Sequence, residues 1–131
     1  GNDDNKANIV HLGGIKTVMD FLTPLNDVAV ADTGLRLLAE LTKNNEANAK
    51  LLADASGFEL ATSEMSKHPN LPYIQASCCG VLRNLPTGNA DQANDTALLI
   101  LAAMKKHRED KMVQFEGCHA LLQYCCRFPI I

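Results

Sequence analysis

The cysteines and histidines are the side chains of this chain that could bind a metal ion or supply a nucleophile. The five cysteines stand as Cys78-Cys79, Cys118 and Cys125-Cys126, all in segments that we predict to be helical. Zinc sites use cysteine pairs separated by about two to four residues, and the sequence contains no such pair. Because free cysteine is among the most frequently buried residue types, we expect small buried thiols, no metal and no cofactor.

The histidines have a structural interpretation as well. His68 and His107 each follow a lysine where we predict a helix to end, and a cation in the last turn gains roughly 0.3–1 kcal/mol from the helix dipole. On neighbouring packed helices they would lie about 10 Å apart, too far to share one ion. Cys118 and His119 are adjacent, so on a helix they point in different directions. We identify no nucleophile–base pair and expect no catalytic residue, with an enzyme as the rival class.

Composition excludes several other classes of function. The 131 residues are 47% hydrophobic and carry a net charge of −3, which predicts a folded domain without the basic excess typical of nucleic-acid binding. The longest apolar run, Ala97–Met104, is shorter than the roughly 18 residues of a membrane span. We therefore expect no nucleic-acid or membrane partner. The reduced thiols and the absence of a signal peptide favour a cytoplasmic or nuclear location.

Residues 65–85 and 104–124 repeat each other at an offset of 39 residues. Six of the 21 positions are identical, and a period near 40 residues in a helical pattern is typical of stacked helical repeats. The identical pairs are Met65/Met104, Lys67/Lys106, His68/His107, Gln75/Gln114, Cys79/Cys118 and Leu82/Leu121.

A third copy of this pattern comes earlier in the chain, at an offset of 44 residues. Val30, Gly34, Leu38 and Leu41 correspond to Ile74, Cys78, Leu82 and Leu85, and then to Val113, Gly117, Leu121 and Tyr124. This spacing places four residues on one buried face of a helix. The small residue within each stripe is expected because a large side chain there would force neighbouring helices apart.

Glycine and proline divide each unit into a short, a medium and a long helix. A two-helix repeat of about 34 residues fits less well because its period is too short. We predict one domain over residues 1–131, with repeats at about 5–44, 45–88 and 89–127, and a degenerate first helix in the third. The predicted helices are Asn5–Leu12, a second helix from Ile15 that stops at Pro24, Asp27–Lys43, Glu46–Ala53, Phe58–Lys67, Tyr73–Leu85, a remnant at Ala90–Ala93, Asp95–His107 and Asp110–Cys125.

These long segments resemble a known repeat family. Ile74–Leu85 (IQASCCGVLRNL) and Val113–Leu122 (VQFEGCHALL) resemble the third-helix pattern of armadillo repeats. Asn8–Val10 with Leu12–Ile15 resembles the junction between the family's first and second helices. The resemblance covers essentially the whole chain and implies an all-α fold, a right-handed α-α superhelix of about three repeats. It also implies a non-catalytic scaffold that binds proteins.

In armadillo import receptors a tryptophan, and four residues later an asparagine, line a concave groove and hold an extended peptide. The asparagine position falls on Glu40, Asn84 and Gln123, and the tryptophan position on Arg36, Gly80 and His119. Only Asn84 matches, and the chain has no tryptophan. A groove without tryptophan cannot sandwich lysine side chains by cation–π contact, so import-receptor function is doubtful.

Inward-facing third helices would present one residue in every four to the groove. A protein or peptide partner, bound as an extended segment or a helix, is the expected ligand. The predicted groove residues are Asp32, Arg36, Glu40 and Asn44, then Ala76, Gly80, Asn84 and Gly88, then Phe115, His119, Gln123 and Arg127.

The alternative is a structural segment of a larger scaffold that acts through its ends and has an idle groove. The last residues, Phe128–Ile131, are apolar, as the cut end of a repeat array would be. We therefore expect either a fragment of a longer array or self-association end to end.

Overall fold

The computed structural model describes residues 2–11 and 13–127 of the chain. Regular structure within these ranges consists of eight α-helices and no strand, which confirms the predicted all-α class. The apolar segment Phe128–Ile131 lies outside the described residues. The helices are α1 (Asn2–His11), α2 (Gly14–Leu25), α3 (Val28–Thr42), α4 (Glu46–Asp54), α5 (Gly57–Lys67), α6 (Pro72–Leu82), α7 (Ala90–Lys106) and α8 (Lys111–Arg127).

The junctions α1–α2 and α4–α5 are built alike. Gly13 (φ 82°) and Ser56 (φ 71°) take the left-handed conformation that ends one helix and starts the next. The glycine that follows is required for space, since a Cβ atom at Gly14 would lie 2.6 Å from Ile9 and one at Gly57 2.5 Å from Leu52. The predicted glycine breaks are therefore present, but at the second junction a serine adopts the unusual backbone conformation.

Four helices begin with a side-chain cap. An aspartate or asparagine at the N-cap accepts a hydrogen bond from the backbone N–H three residues later, which satisfies a donor that the helix leaves unpaired. The cap residues are Asp27 for α3, Asn45 for α4, Asn89 for α7 and Asp110 for α8.

Several predicted helix boundaries are wrong. α1 begins at Asn2 and not at Asn5, and α6 ends at Leu82 and not at Leu85. α2 continues through Pro24 to Leu25. In the third unit, the predicted remnant Ala90–Ala93 and the helix that follows are one continuous α7, without a break. The first two units turn at Gly13-Gly14 and Ser56-Gly57, and no glycine occupies the corresponding place in α7. Without a residue that favours the left-handed turn, the helix continues.

α6 lies at the centre of the packing. Every residue from Ile74 to Leu82 is buried, and the helix contacts α3, α5, α7 and α8. The glycines of the outer stripes show why this position is small. A Cβ atom at Gly34 would lie 2.4 Å from Leu22, and one at Gly117 would lie 2.7 Å from Met104. The expected close approach of neighbouring helices at these glycines is confirmed.

Two equivalent glutamines, Gln75 of α6 and Gln114 of α8, bond their helices to the end of the preceding helix. Nε2 of Gln75 donates to the carbonyl oxygens of Met65 (3.0 Å) and His68 (2.8 Å). Nε2 of Gln114 donates to the equivalent carbonyls, 39 residues further along the chain, at 3.0 Å each. Because a helix leaves its last carbonyls without intrahelical partners, these bonds give a physical reason for the repeated glutamine.

Candidate binding groove

A groove of about 370 Å³ runs between α3, α6 and α8. Charged side chains stand along its walls and small apolar residues form its floor. It is lined by Asp32, Arg36, Ala39, Glu40, Lys43, Tyr73, Ala76, Ser77, Gly80, Arg83, Asn84, Met112 and Glu116. All three helices are the third helices of their sequence units.

The structure brings half of the predicted groove residues together here. Asp32, Arg36, Glu40, Gly80 and Asn84 all line this groove, as the step of four along α3 and α6 predicts. The step also placed Ala76 here, and that residue forms part of the floor.

Other predicted residues lie elsewhere. Asn44 and Gln123 line an adjacent depression of about 1040 Å³ at the ends of α3 and α6, together with Gly88. Asn44 is a left-handed turn residue (φ 54°) between α3 and α4, and Nε2 of Gln123 donates to the carbonyl oxygen of Leu85. The side chain of Arg127 lies outside the described part of the structure.

Phe115 and His119 stand beside the groove, on the exposed side of α8. Their ring centroids are 4.7 Å apart with the planes tilted by 58°. The guanidinium carbon of Arg83 lies 5.9 Å from the centroid of Phe115, within the range of a cation–π contact. Phe115 therefore borders the groove through Arg83.

Sequence reasoning missed seven lining residues. A step of four follows a single line along a helix, whereas the groove side of α6 is two residues wide and repeats as i, i+3, i+4, i+7. On α8 the groove side is formed by Met112 and Glu116, which lie one turn apart on a line different from the one that starts at Phe115. Counting both spacings would have found the missed residues Ala39, Lys43, Tyr73, Ser77, Arg83, Met112 and Glu116.

One wall of the groove carries charges that are mostly engaged within the protein. Oγ of Ser77 donates a 2.6 Å hydrogen bond to Oδ1 of Asp32, which joins α6 to α3. Nε of Arg36 is 3.7 Å from Oδ2 of the same carboxylate, a loose ion pair with a largely exposed guanidinium. Nζ of Lys6 on α1 pairs with Oε1 of Glu40 at 3.2 Å. Arg36 is therefore the most available charge among these groups.

The opposite wall is joined by a tighter pair. NH1 of Arg83 is 3.1 Å from Oε2 of Glu116, a bond between α6 and α8, and both side chains are largely buried. Since a charge-assisted bond shielded from water is stronger than an exposed one, this pair fixes the width of the groove at α8.

Asn84 uses its amide donors inside the protein. Nδ2 donates to the carbonyl oxygen of Ala39 at 2.7 Å and to Oγ1 of Thr42 at 3.3 Å, both near the end of α3. An amide nitrogen carries two protons. The side-chain oxygen of Asn84 remains to accept a hydrogen bond from a ligand, whereas its amide group has no donor left for a peptide carbonyl.

The floor narrows at Gly80. A Cβ atom built there would lie 3.5 Å from Oε2 of Glu116 and 3.7 Å from Cβ of Ala39, which is ordinary van der Waals contact. Any larger side chain at this position would project into the groove between α3 and α8.

The cysteines fall into two groups. Cys78 and Cys79 are fully buried, and burial raises the pKa of Cys78 well above its ordinary value and that of Cys79 to about 12. Cys118 and Cys125 are exposed, so the expectation of buried thiols is wrong for these two. The side chain of Cys126 lies outside the described residues.

The two histidines end helices, as predicted: His68 is the C-cap of α5 and His107 the C-cap of α7. Nε2 of His68 lies 3.4 Å from Oε2 of the buried Glu64, and Nε2 of His107 lies 2.8 Å from the carbonyl oxygen of Pro69. No cluster of three or more His, Cys, Asp or Glu side chains suited to a metal ion is found in residues 2–11 and 13–127. In the same ranges, the search for a helix of sufficient length and hydropathy to cross a bilayer finds none.

Comparison with family models, with curated proteins and with solved structures finds no match to this chain. The groove is therefore the feature from which we infer a function.

Proposed function

We propose that this chain is an armadillo-type α-solenoid, a right-handed superhelix of about three repeats that binds a protein partner in the groove between its third helices. The observation that carries the proposal is the open groove between α3, α6 and α8, with its apolar floor and charged walls. A trough of this kind suits an extended peptide or an amphipathic helix. The interaction requires no catalytic residue.

The groove favours a segment with one apolar side chain next to an acidic one. The apolar floor around Gly80 and the exposed Tyr73 and Met112 offer contacts to an aliphatic or aromatic side chain. Asp32, Glu40 and Glu116 are each engaged with a partner inside the protein. Lys43 has no ion-pair partner among the described residues, and Arg36 is only loosely paired. These two cations are available to a carboxylate of the ligand.

A second candidate is a structural segment that acts through its ends while the groove stays empty. The observation that favours it is the engagement of Asn84 and Gln123 in bonds to neighbouring helix ends. These bonds stabilise the stack, and they remove amide donors that would otherwise hold a peptide backbone.

The test is selection of binders from a random peptide library on immobilised protein, followed by affinity measurement of the selected peptides by fluorescence anisotropy. Gly80→Leu fills the groove without changing charge. Arg36→Glu reverses the available cation, and Arg108→Glu makes the same substitution on the exposed loop between α7 and α8 as a matched control. All three are checked for wild-type helicity and melting temperature.

Under the proposal, Gly80→Leu weakens the selected peptides at least about tenfold, a loss of about 1.4 kcal/mol. Arg36→Glu weakens the acidic peptides, and Arg108→Glu leaves them unchanged. If no peptide is enriched, or if the three variants bind as the wild type does, the groove is idle and the second candidate is favoured.

A further inference from the structure

The outer side of α7 and α8 is an apolar surface on which none of the described residues packs. We call it the α7/α8 face and define it by Leu98, Leu101, Cys118, Leu122 and Cys125. All five side chains are exposed, Leu98 by 66% and Leu122 by 60%. The spacing of Cys118, Leu122 and Cys125 is that of one stripe along a helix.

In the two earlier units this stripe is covered at the positions of Cys118 and Leu122, whereas Pro86, the second unit's equivalent of Cys125, is exposed. The residues equivalent to Cys118 are Leu35 on α3 and Cys79 on α6, and both are 0% exposed. Leu122 corresponds to Ala39 and Arg83, which contact α6 and α8 respectively. On α3 and α6 these two positions therefore face the third helix of the following unit, and on α8 no described residue takes that place.

The second helices differ in the polarity of their side chains at this surface. Leu98 and Leu101 correspond to Glu59 and Thr62 of α5, which line the space between α5 and α7. At the α7/α8 face these polar residues are replaced by leucines. The face is therefore more apolar than the equivalent surface of α5, where Glu59 is exposed and Thr62 is half-buried.

The opposite end of the molecule carries the other half of this interface. We call it the α2/α3 face and define it by Phe21, Val30, Thr33 and Leu37. It contains an open apolar depression of about 540 Å³ bordered by Phe21 and Val30. Phe21 is 58% exposed, Val30 38% and Leu37 39%.

On α6, the equivalents of this second surface are buried. Ile74 and Val81 correspond to Val30 and Leu37 and are 0% exposed. Ser77 corresponds to Thr33 and bonds Asp32 of α3. The α2/α3 face is thus the uncovered form of the surface that α6 turns towards α3.

We propose that a second copy of this chain docks its α2/α3 face on the α7/α8 face of the first, head to tail. The two uncovered faces are the two halves of an interface that the chain already forms between α3 and α6 and between α6 and α8. A contact between two different faces leaves one free face on each end of the dimer, so further copies can add until the rotation closes a ring. This interaction uses surfaces outside the groove and stands whether or not the groove binds a peptide.

The test combines sedimentation velocity with thiol footprinting of the wild-type chain from micromolar to millimolar concentration. The sedimentation coefficient is expected to rise with concentration. Over the same range, alkylation of Cys118 is expected to slow as the face becomes covered. An amine-acylating reagent used in parallel is expected to modify Lys50, an exposed lysine away from both faces, at a constant rate.

Two variants separate a head-to-tail contact from a symmetric one. Leu122→Glu blocks the α7/α8 face and Phe21→Glu blocks the α2/α3 face. Leu51→Glu, at an exposed leucine of α4 that is 49% accessible, is the matched control. Exposed substitutions of this kind are expected to leave folding intact, which circular dichroism verifies.

Each blocking variant alone is expected to sediment as a monomer, an equimolar mixture of the two as a dimer, and Leu51→Glu as the wild type does. A wild-type chain that is monomeric at every concentration overturns the proposal. It is equally overturned by association that only one of the two blocking variants abolishes, because that result describes a symmetric dimer.

Discussion

Helices α6 and α8 carry the same residue at three equivalent positions, yet these residues are buried on α6 and more exposed on α8. Gln75 and Cys79 of α6 are buried and Leu82 is 0% exposed. Their counterparts on α8 are half-buried, exposed and half-buried, in the same order. Among the described helices, α6 packs between two third helices, α3 and α8, whereas α8 packs on one, α6. Burial at a repeat position is therefore decided by the neighbouring unit as much as by the residue.

The cysteine pair gives the largest expected contrast. Cys118 is expected to react with iodoacetamide at pH 8, whereas Cys79 is both buried and shifted from 9.0 to a pKa of about 12. Because the thiolate is the nucleophile, a shift of this size alone slows Cys79 by about a thousandfold. Mass spectrometry of the alkylated native protein measures both rates. Comparable labelling of the two cysteines at low protein concentration would contradict the buried position of α6.

The same pKa shift predicts a loss of stability in alkaline solution. The folded state holds the Cys79 proton to about pH 12, whereas the unfolded thiol loses it near pH 9.0. The buried Cys79 thiol therefore makes its full contribution to the free energy of unfolding below pH 9. This contribution is lost as the pH rises to 12, and the loss amounts to about 4 kcal/mol. Urea unfolding measured at a series of pH values from 8 to 12 determines this loss. The decline should be less steep for Cys79→Ala, and unchanged for Cys118→Ala.

The leucine pair tests the packing difference directly. Leu82→Ala is expected to lower the free energy of unfolding by about 2–5 kcal/mol, because it leaves a cavity in the centre of the core. Leu121→Ala, at the equivalent place on α8, is expected to cost less, since that side chain is only partly buried. Urea denaturation of both variants gives the comparison, and equal losses would show that the two positions are packed alike.

The glutamine pair tests the bonds between helices. Gln75→Ala removes two hydrogen bonds to the end of α5 in a buried environment and is expected to cost about 1–3 kcal/mol. Gln114→Ala is expected to cost less because water reaches the half-buried acceptors at the end of α7. Thermal unfolding followed by circular dichroism ranks the two, and the reverse order would refute this explanation of the repeated glutamine.

The glycines give the smallest effects and opposite signs. Gly80→Ala places a Cβ atom at ordinary contact distance and is expected to stabilise α6 by about 0.5–1 kcal/mol. Gly117→Ala brings its Cβ atom within 2.7 Å of Met104, so it is expected to gain nothing or to destabilise. Paired melting curves decide between the signs. Stabilisation by both substitutions would mean that α7 and α8 are not held as close as described.

Much of the secondary structure could be predicted because its signals are local. Asp27 and Asn45 cap their helices, and Gly13 turns one helix into the next with a left-handed backbone. The break within α7 was predicted from the repeat period alone, without a local turn signal, and it is absent. The boundary at Pro24 is wrong by one residue, because the helix closes at Asn26, whose backbone is left-handed (φ 47°).

The candidate groove was predictable only in part. The step of four found Asp32, Arg36 and Glu40 because one helix face follows from periodicity. It could not show that the amide of Asn84 donates its hydrogen bonds to the end of α3, or that Phe115 lies outside the groove beside Arg83. Those facts depend on the positions of helices that are 30 or more residues apart along the chain.

The sequence by itself determined the helical class, the repeated unit and the small residue within each stripe, because periodicity, caps and turn residues act within a few positions of the chain. Only the tertiary structure decided which equivalent residues are covered, which charges are already paired and how wide the groove is. Coverage and pairing depend on distances between helices, and identical residues such as Cys79 and Cys118 differ only in having, or lacking, a neighbouring helix to exclude water.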